Sequence, residues 1–125
     1  MKIAIVVFLS FSLLCFSCVS QRNVTLIDKI ELSEILKIQG GNITLVDVRT
    51  AEEFEKGTIN SAQNIDFWDP EFQNKCKKQL EKKDKIIVFC AGGGRSAMAS
   101  KKLSRLGFKM IYDLEEATNH SYISS

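Results

Sequence analysis

The chain has 125 residues, 45% of them hydrophobic, which is enough for one domain with a substantial core and too little for two. Its 17 Lys and Arg against 15 Asp and Glu leave a net charge of +2 without a basic stripe or charge block, so nucleic acid is not expected as a partner. A single Pro, seven Gly and the lack of an internal repeat exclude a disordered, collagen-like or solenoid chain.

The first segment differs from everything after it. Lys2 gives a positive start, Ile3 to Phe16 is almost wholly apolar, and the small residues Ser17, Cys18 and Ser20 follow. This pattern predicts an export signal over residues 1–20 and a mature domain over 21–125. The apolar run is interrupted by Ser10 and Ser12 and falls short of the roughly 20 residues a membrane span needs. Phe16-Ser17-Cys18 resembles a bacterial lipobox, so cleavage before Cys18 with lipidation of that residue is expected. The protein would then be exported to the cell envelope or periplasm and touch the membrane only through this anchor. Cleavage after Ser20, giving a soluble periplasmic or secreted form, is the alternative. Either way Cys76 and Cys90 are the cysteines of the mature domain. Phe72, Cys76 and Leu80 fall at i, i+4 and i+8, which puts Cys76 on a buried helix face as a small hydrophobe, in preference to a disulfide partner.

Strand-like and helix-like segments then alternate. A strand from Val24 to Ile27 leads to Asp28, which with Glu31 has capping-box spacing and opens a helix through Leu36, ended by Gly40-Gly41. The β-branched run Ile43 to Val48 predicts a second strand. Thr50 and Glu53 repeat the capping-box spacing and start a short helix ending at Gly57. A third strand is expected from Ala62 to Phe67. Asp69-Pro70 reads as an N-cap followed by Pro at the first helical position, opening a helix with Phe72, Cys76 and Leu80. Ile86 to Phe89 is the fourth strand. A helix from Ser96 presents Ala99, Leu103 and Leu106 on one face and stops at Gly107, before a last strand from Phe108 to Tyr112. The expected class is α/β, with a five-stranded, mainly parallel sheet and helices on both faces.

The chemistry is concentrated in Cys90-Ala91-Gly92-Gly93-Gly94-Arg95-Ser96, at the carboxyl end of a parallel strand, where open α/β sheets place their ligands. Three consecutive glycines let successive backbone N–H groups curl into an anion nest, and the next helix adds its positive N-terminal end. A cysteine held over such a nest is stabilised as thiolate, the form that attacks sulfur or phosphorus centres. Arg95 adds a positive charge, and the Ser96 hydroxyl is available to cap the helix or donate to a bound anion. The loop lacks the Gly-Lys-Ser/Thr ending of a Walker motif and is not a dinucleotide fingerprint, which excludes nucleotide binding by either.

Over residues 24–114 the chain resembles the single-domain rhodanese-like sulfurtransferases. Leu45-Val46-Asp47-Val48-Arg49-Thr50 with Glu52-Glu53-Phe54 is similar to the family's first signature. Gly57-Thr58-Ile59 with Ala62 and Asn64-Ile65 is similar to its second, and Cys90 to Ser96 to its active-site loop. The resemblance implies a Cys90 persulfide that takes sulfane sulfur from thiosulfate, a polysulfide or a persulfide and passes it to a thiol or cyanide. The N–H groups of residues 91–95 would bind the persulfide. No metal or organic cofactor is implied, and the small sulfur donor and thiol acceptor are the expected partners. A rhodanese-like module that binds or senses sulfur without turnover is the alternative. A Cys-dependent phosphatase or arsenate reductase is a weaker one, because those relatives place one more residue between Cys and Arg than the four found here. Asp47 and Arg49, at the end of the second strand, either bind the donor anion or pair and brace the loop.

The chain departs from the family pattern in two places. Thr58 replaces a histidine of the second signature. Leu114-Glu115-Glu116-Ala117 lacks both glycines of the usual Leu-x-Gly-Gly turn, and the Trp-bearing helix that normally follows is not evident, so Tyr122 is expected to fill part of that space. Trp68 is expected as a core or rim aromatic, and His120 as a solvated tail residue.

Overall fold

The computed structural model describes residues 23–38, 40–59, 61–115 and 117; the expected export signal with Cys18, and the tail residues His120 and Tyr122, lie outside them. Strand β1 (Val24–Ile27) is followed by helix α1 (Lys29–Lys37). The capping box forms as its spacing predicts: Asp28 Oδ1 accepts from the N–H groups of Ile30 at 2.8 Å and Glu31 at 2.9 Å, while Glu31 Oε2 accepts from Asp28 N at 2.8 Å. Such a cap contributes about 1 kcal/mol. Strand β2 (Ile43–Asp47) leads into α2 (Ala51–Glu55), again opened by a capping box, between Thr50 and Glu53.

Four boundaries differ from expectation. Strand β3 is only Gln63–Asn64, not Ala62 to Phe67. Its partner β2 ends at Asp47, so the ladder stops, and the chain continues with Ile65 N donating to Asp47 O at 3.0 Å and Phe67 N to Val48 O at 3.1 Å. Helix α3 (Phe72–Gln79) starts later than the Asp69-Pro70 pattern predicts. Asp69 instead closes a turn, its Oδ1 accepting from Glu71 N at 2.8 Å and its carbonyl from Phe72 N at 2.9 Å, while its carboxylate also pairs with Lys75. Strand β4 (Lys85–Phe89) and helix α4 (Gly94–Arg105) follow, the helix beginning two residues before Ser96. Strand β5 is Met110–Leu114, shifted two residues beyond the expected Phe108 to Tyr112. The end of α4 takes up the intervening residues as a Schellman cap: Gly107, at φ +95°, donates to Ser104 O at 3.1 Å, and Phe108 N reaches Leu103 O at 3.2 Å.

All four strand pairings are parallel, in the order β1-β5-β4-β2-β3. Alternation along the strands divides the core. Val46, Val48, Ile86, Val88, Cys90 and Ile111 face α3 and α4, packing against Phe72, Cys76, Leu80, Ala99 and Leu103. Leu45, Ile87, Phe89 and Leu114 face the other way, against Leu32 of α1. Helices therefore cover both sides of the sheet. Cys76 and Cys90 are both free thiols, and burial pushes the Cys76 thiol up to about 12, so it acts as an inert core residue. No helix among the described residues is long and apolar enough to cross a membrane.

Candidate active site

Cys90 comes directly after β4, on the face that carries Val88 and looks toward α4. The chain then has to reverse from strand to helix within a few residues. Gly93 makes this reversal possible as the N-cap of α4, at φ +87° and ψ −15°, a left-handed conformation that costs an L-residue about 1–2 kcal/mol. The turn brings two donors onto the sulfur: Gly93 N lies 3.2 Å from Cys90 Sγ and Ser96 N 3.4 Å. Cys90 is only 2% exposed, so water competes little for these interactions.

The glycines are not equivalent. Only Gly93 of the three adopts a positive φ, and a Cβ on Gly92 or Gly94 would meet nothing within 4 Å. Gly93→Ala is therefore expected to destabilise the fold by about 1–2 kcal/mol, whereas Gly92→Ala should stay within about 0.5 kcal/mol. Urea unfolding of both variants, with the alkylation rate of Cys90 measured alongside, checks the difference.

Ser96 is neither the helix cap nor a free donor for an anion. It is completely buried, its N–H donates to Cys90, and its hydroxyl donates to Gly93 O at 3.1 Å. The side chain thus ties the first turn of α4 to the loop it grows from.

Arg95 is held by Glu53 in a two-pronged pair, Nη1 to Oε1 at 2.6 Å and Nη2 to Oε2 at 2.9 Å. The hydrogen bond to Arg95 is the main reason the Glu53 carboxyl falls to about 2, and the same bond holds the guanidinium above its ordinary range. Arg95 also interacts with Cys90, so it links α2 to the sulfur. In the sequence Glu53 stands out only as the closing residue of a capping box and as part of the first signature, and it does close the cap, accepting from Thr50 N at 3.5 Å as well as from Thr50 Oγ1 at 3.2 Å. Because the cap accounts for a glutamate at this spacing, no residual signal points to Arg95, 42 residues away.

Asp47 and Arg49 meet each other. Arg49 Nε lies 3.0 Å from each Asp47 oxygen, and Nη2 reaches Oδ2 at 2.6 Å and Gly57 O at 2.6 Å. Hydrogen bonding to the fully buried Asp47 raises the guanidinium further. Thr58 Oγ1 donates to Asp47 Oδ2 at 2.8 Å, and Asn64 Nδ2 donates to the carbonyls of Asp47 and Arg49 at 3.0 and 2.8 Å. These contacts brace the segment after β2 against Gly57, Thr58 and Asn64. Trp68 is 62% exposed and packs edge-on against Phe67 at 5.0 Å, which makes it a rim aromatic.

Comparison with known proteins adds an independent line of support. A family model described as the rhodanese-like domain matches residues 31–119. The chain is 30% identical over 97 residues to rhodanese-like domain-containing protein 17 of Arabidopsis thaliana, covering 69% of this chain and 62% of that one. It is 33% identical over 78 residues to thiosulfate sulfurtransferase 16, chloroplastic, of the same plant, covering 55% and 65%. The tRNA uridine(34) hydroxylase of Legionella pneumophila is 38% identical over 82 residues, covering 63% of this chain and 32% of that protein. The chain thus spans less than two thirds of the length of each of these relatives. Among solved structures, a rhodanese-like domain protein from Staphylococcus aureus superposes with TM-score 0.64 at 26% identity, covering 81% of this chain and 92% of that one. A rhodanese-related protein from Thermoplasma volcanium gives 0.59 at 30% identity, covering 76% and 87%.

Proposed function

Since the chain belongs to the rhodanese-like domain family, we propose that it is a sulfurtransferase whose carrier is Cys90. The Cys90 thiolate attacks the sulfane sulfur of a donor such as thiosulfate. A new S–S bond forms at Cys90, the donor S–S bond breaks, and sulfite leaves with the bonding electron pair. An acceptor thiolate then attacks the outer sulfur, forms its own persulfide and returns the electron pair to Cys90 as thiolate. Cyanide as acceptor gives thiocyanate by the same displacement. Each step passes a sulfur atom between nucleophiles, a ping-pong form of covalent catalysis.

The observation that carries this reading is the pair of backbone N–H groups on Cys90 Sγ at the N-terminal turn of α4. Fixed donors and the positive end of a helix favour sulfur-centred negative charge without reorganising during the reaction. Arg95, anchored by Glu53, adds its charge beside the sulfur, and the Asp47–Arg49 pair keeps the neighbouring wall in place. The test is intact-mass spectrometry of the full chain with thiosulfate or polysulfide. A gain of one sulfur atom that a thiol removes supports the proposal. No adduct from any donor overturns it, and so does Cys90-dependent phosphate release from an aryl phosphate that outpaces sulfur loading.

The N-terminal pattern supports a separate proposal, export with a lipid anchor on Cys18. Labelling with a fatty-acid analogue in a bacterial host should mark the wild type and spare Cys18→Ala. An unlabelled wild type refutes the anchor.

A further inference from the structure

Asp113 takes no part in the mechanism above, yet it lies directly below it. The β4–β5 register pairs Asp113 with Val88, two residues before Cys90 on the same face of the sheet. The side chain is 5% exposed and engages the Ser96 hydroxyl, while its Oδ1 is buried with no hydrogen-bond partner among the described residues. It lines a cleft with Leu26, Gly92, Gly93, Ala97 and Glu115 that reaches the back of the cysteine loop.

A charged carboxylate with a buried, unpaired oxygen is costly, whereas an unpaired oxygen on a neutral carboxyl costs far less. Burial pushes the Asp113 carboxyl upward and the nearby Glu115 charge adds to this, with the Ser96 contact opposing. On the α4 side Lys101, Ser104 and Arg105 line the adjoining groove, and β1 offers only apolar Val24 and Leu26. With the Ser96 hydroxyl already donating to Gly93 O, a protonated Asp113 can donate to the Ser96 oxygen. The result is a chain from Asp113 through Ser96 to Gly93, whose own N–H donates to Cys90.

We propose that Asp113 is a positioning residue that works as an uncharged carboxyl, fixing Ser96 and the first turn of α4 while keeping a second negative charge from beneath the Cys90 thiolate. When it ionises, the Ser96 hydroxyl is drawn away from Gly93 and the new charge opposes the one on sulfur. This rests on Cys90 being the working nucleophile, so the test reads Cys90 without requiring sulfur transfer.

Site-resolved alkylation of Cys90 by iodoacetamide is followed in the full-length wild type and Asp113→Asn from about pH 5 to about pH 9, with buried Cys76 as the unreactive internal reference. The ratio of variant to wild-type rate is expected to stay near one while Asp113 is protonated and to rise by about fivefold to tenfold as it ionises. A ratio that is flat throughout overturns the proposal, because a purely structural role gives no pH-dependent difference. Asp113→Leu, which cannot bond Ser96, should alkylate about tenfold more slowly than Asp113→Asn at every pH. A folded Asp113→Leu that matches Asp113→Asn also overturns the proposal, and if that variant does not fold the Asp113→Asn ratio decides alone. A rising ratio in a protein that takes sulfur from no donor would leave Asp113 in its role and remove the sulfurtransferase reading. Sulfur loading with a flat ratio would do the reverse.

Discussion

Replacing Cys90 by Ser is expected to abolish sulfur loading while leaving the fold in place. Thiosulfate or polysulfide should add one sulfur atom to the wild type and none to the variant, and turnover with cyanide as acceptor should fall by roughly a thousandfold or more. The hydroxyl fits where the thiol sits and can accept from the same Gly93 and Ser96 N–H groups, so a thermal unfolding midpoint within a few degrees of wild type is expected. The chemistry nevertheless fails, because a serine alkoxide is not accessible at neutral pH without a general base and an O–S bond is a poor sulfur store. Cys76 does not substitute: it lies in the core between α3 and the sheet, and its thiol is pushed up to about 12. Residual loading in Cys90→Ser, mapped to Cys76 or elsewhere, would move the carrier and undo the proposed mechanism.

The second large effect is expected at Glu53, which no part of the chemistry touches directly. Glu53→Gln keeps the shape of the side chain but removes the charge that holds Arg95. Because Arg95 also interacts with Cys90, its release alters both the charge and the position of the loop. Loading of Cys90 should slow by roughly tenfold to a hundredfold, the range produced by displacing a positioning group by about 1 Å. Arg95→Lys should not behave as wild type, since a lysine cannot form the paired contacts with both carboxylate oxygens.

The same pair sets a pH dependence. Glu53 titrates at about 2 in the fold against an ordinary value of 4.5, so its bridge stabilises the protein fully above about pH 4.5 and loses that contribution as pH falls toward 2. The difference in unfolding midpoint between wild type and Glu53→Gln should therefore be greatest near neutral pH and shrink through this window. The pair is partly open to solvent, which keeps the stability term modest. A difference that is the same at pH 7 and pH 2 would mean that Gln is disturbing the Thr50 cap and not the bridge to Arg95.

Much of the fold is legible in the sequence because its signals are local. Both capping boxes, the alternating apolar runs and the Gly107 stop depend on residues within a few positions of one another, and all appear in the structure. The strand boundaries that differ depend on where the neighbouring elements end. Strand β3 is short because its partner β2 ends at Asp47, and β5 shifts because the exit from α4 needs Phe108 to close its cap. That shift has a functional consequence: a strand ending at Tyr112 omits Asp113, whereas the actual strand places it under the cysteine loop.

By itself the sequence determined the α/β class, the cysteine-glycine-arginine loop after the fourth strand, and the family to which that loop and the two upstream signatures belong. Residue type and short spacing are sufficient for these, since periodicity, caps and turn glycines act over a single turn or strand. Only the tertiary structure decided which of three glycines must be glycine, that Ser96 faces inward, that Arg95 is held by Glu53 and Arg49 by Asp47, and that Asp113 lies below the site. A backbone angle is set by where the chain has to go next, and a charge takes its role from the partner that packing brings to it. Neither is encoded by neighbours in the chain.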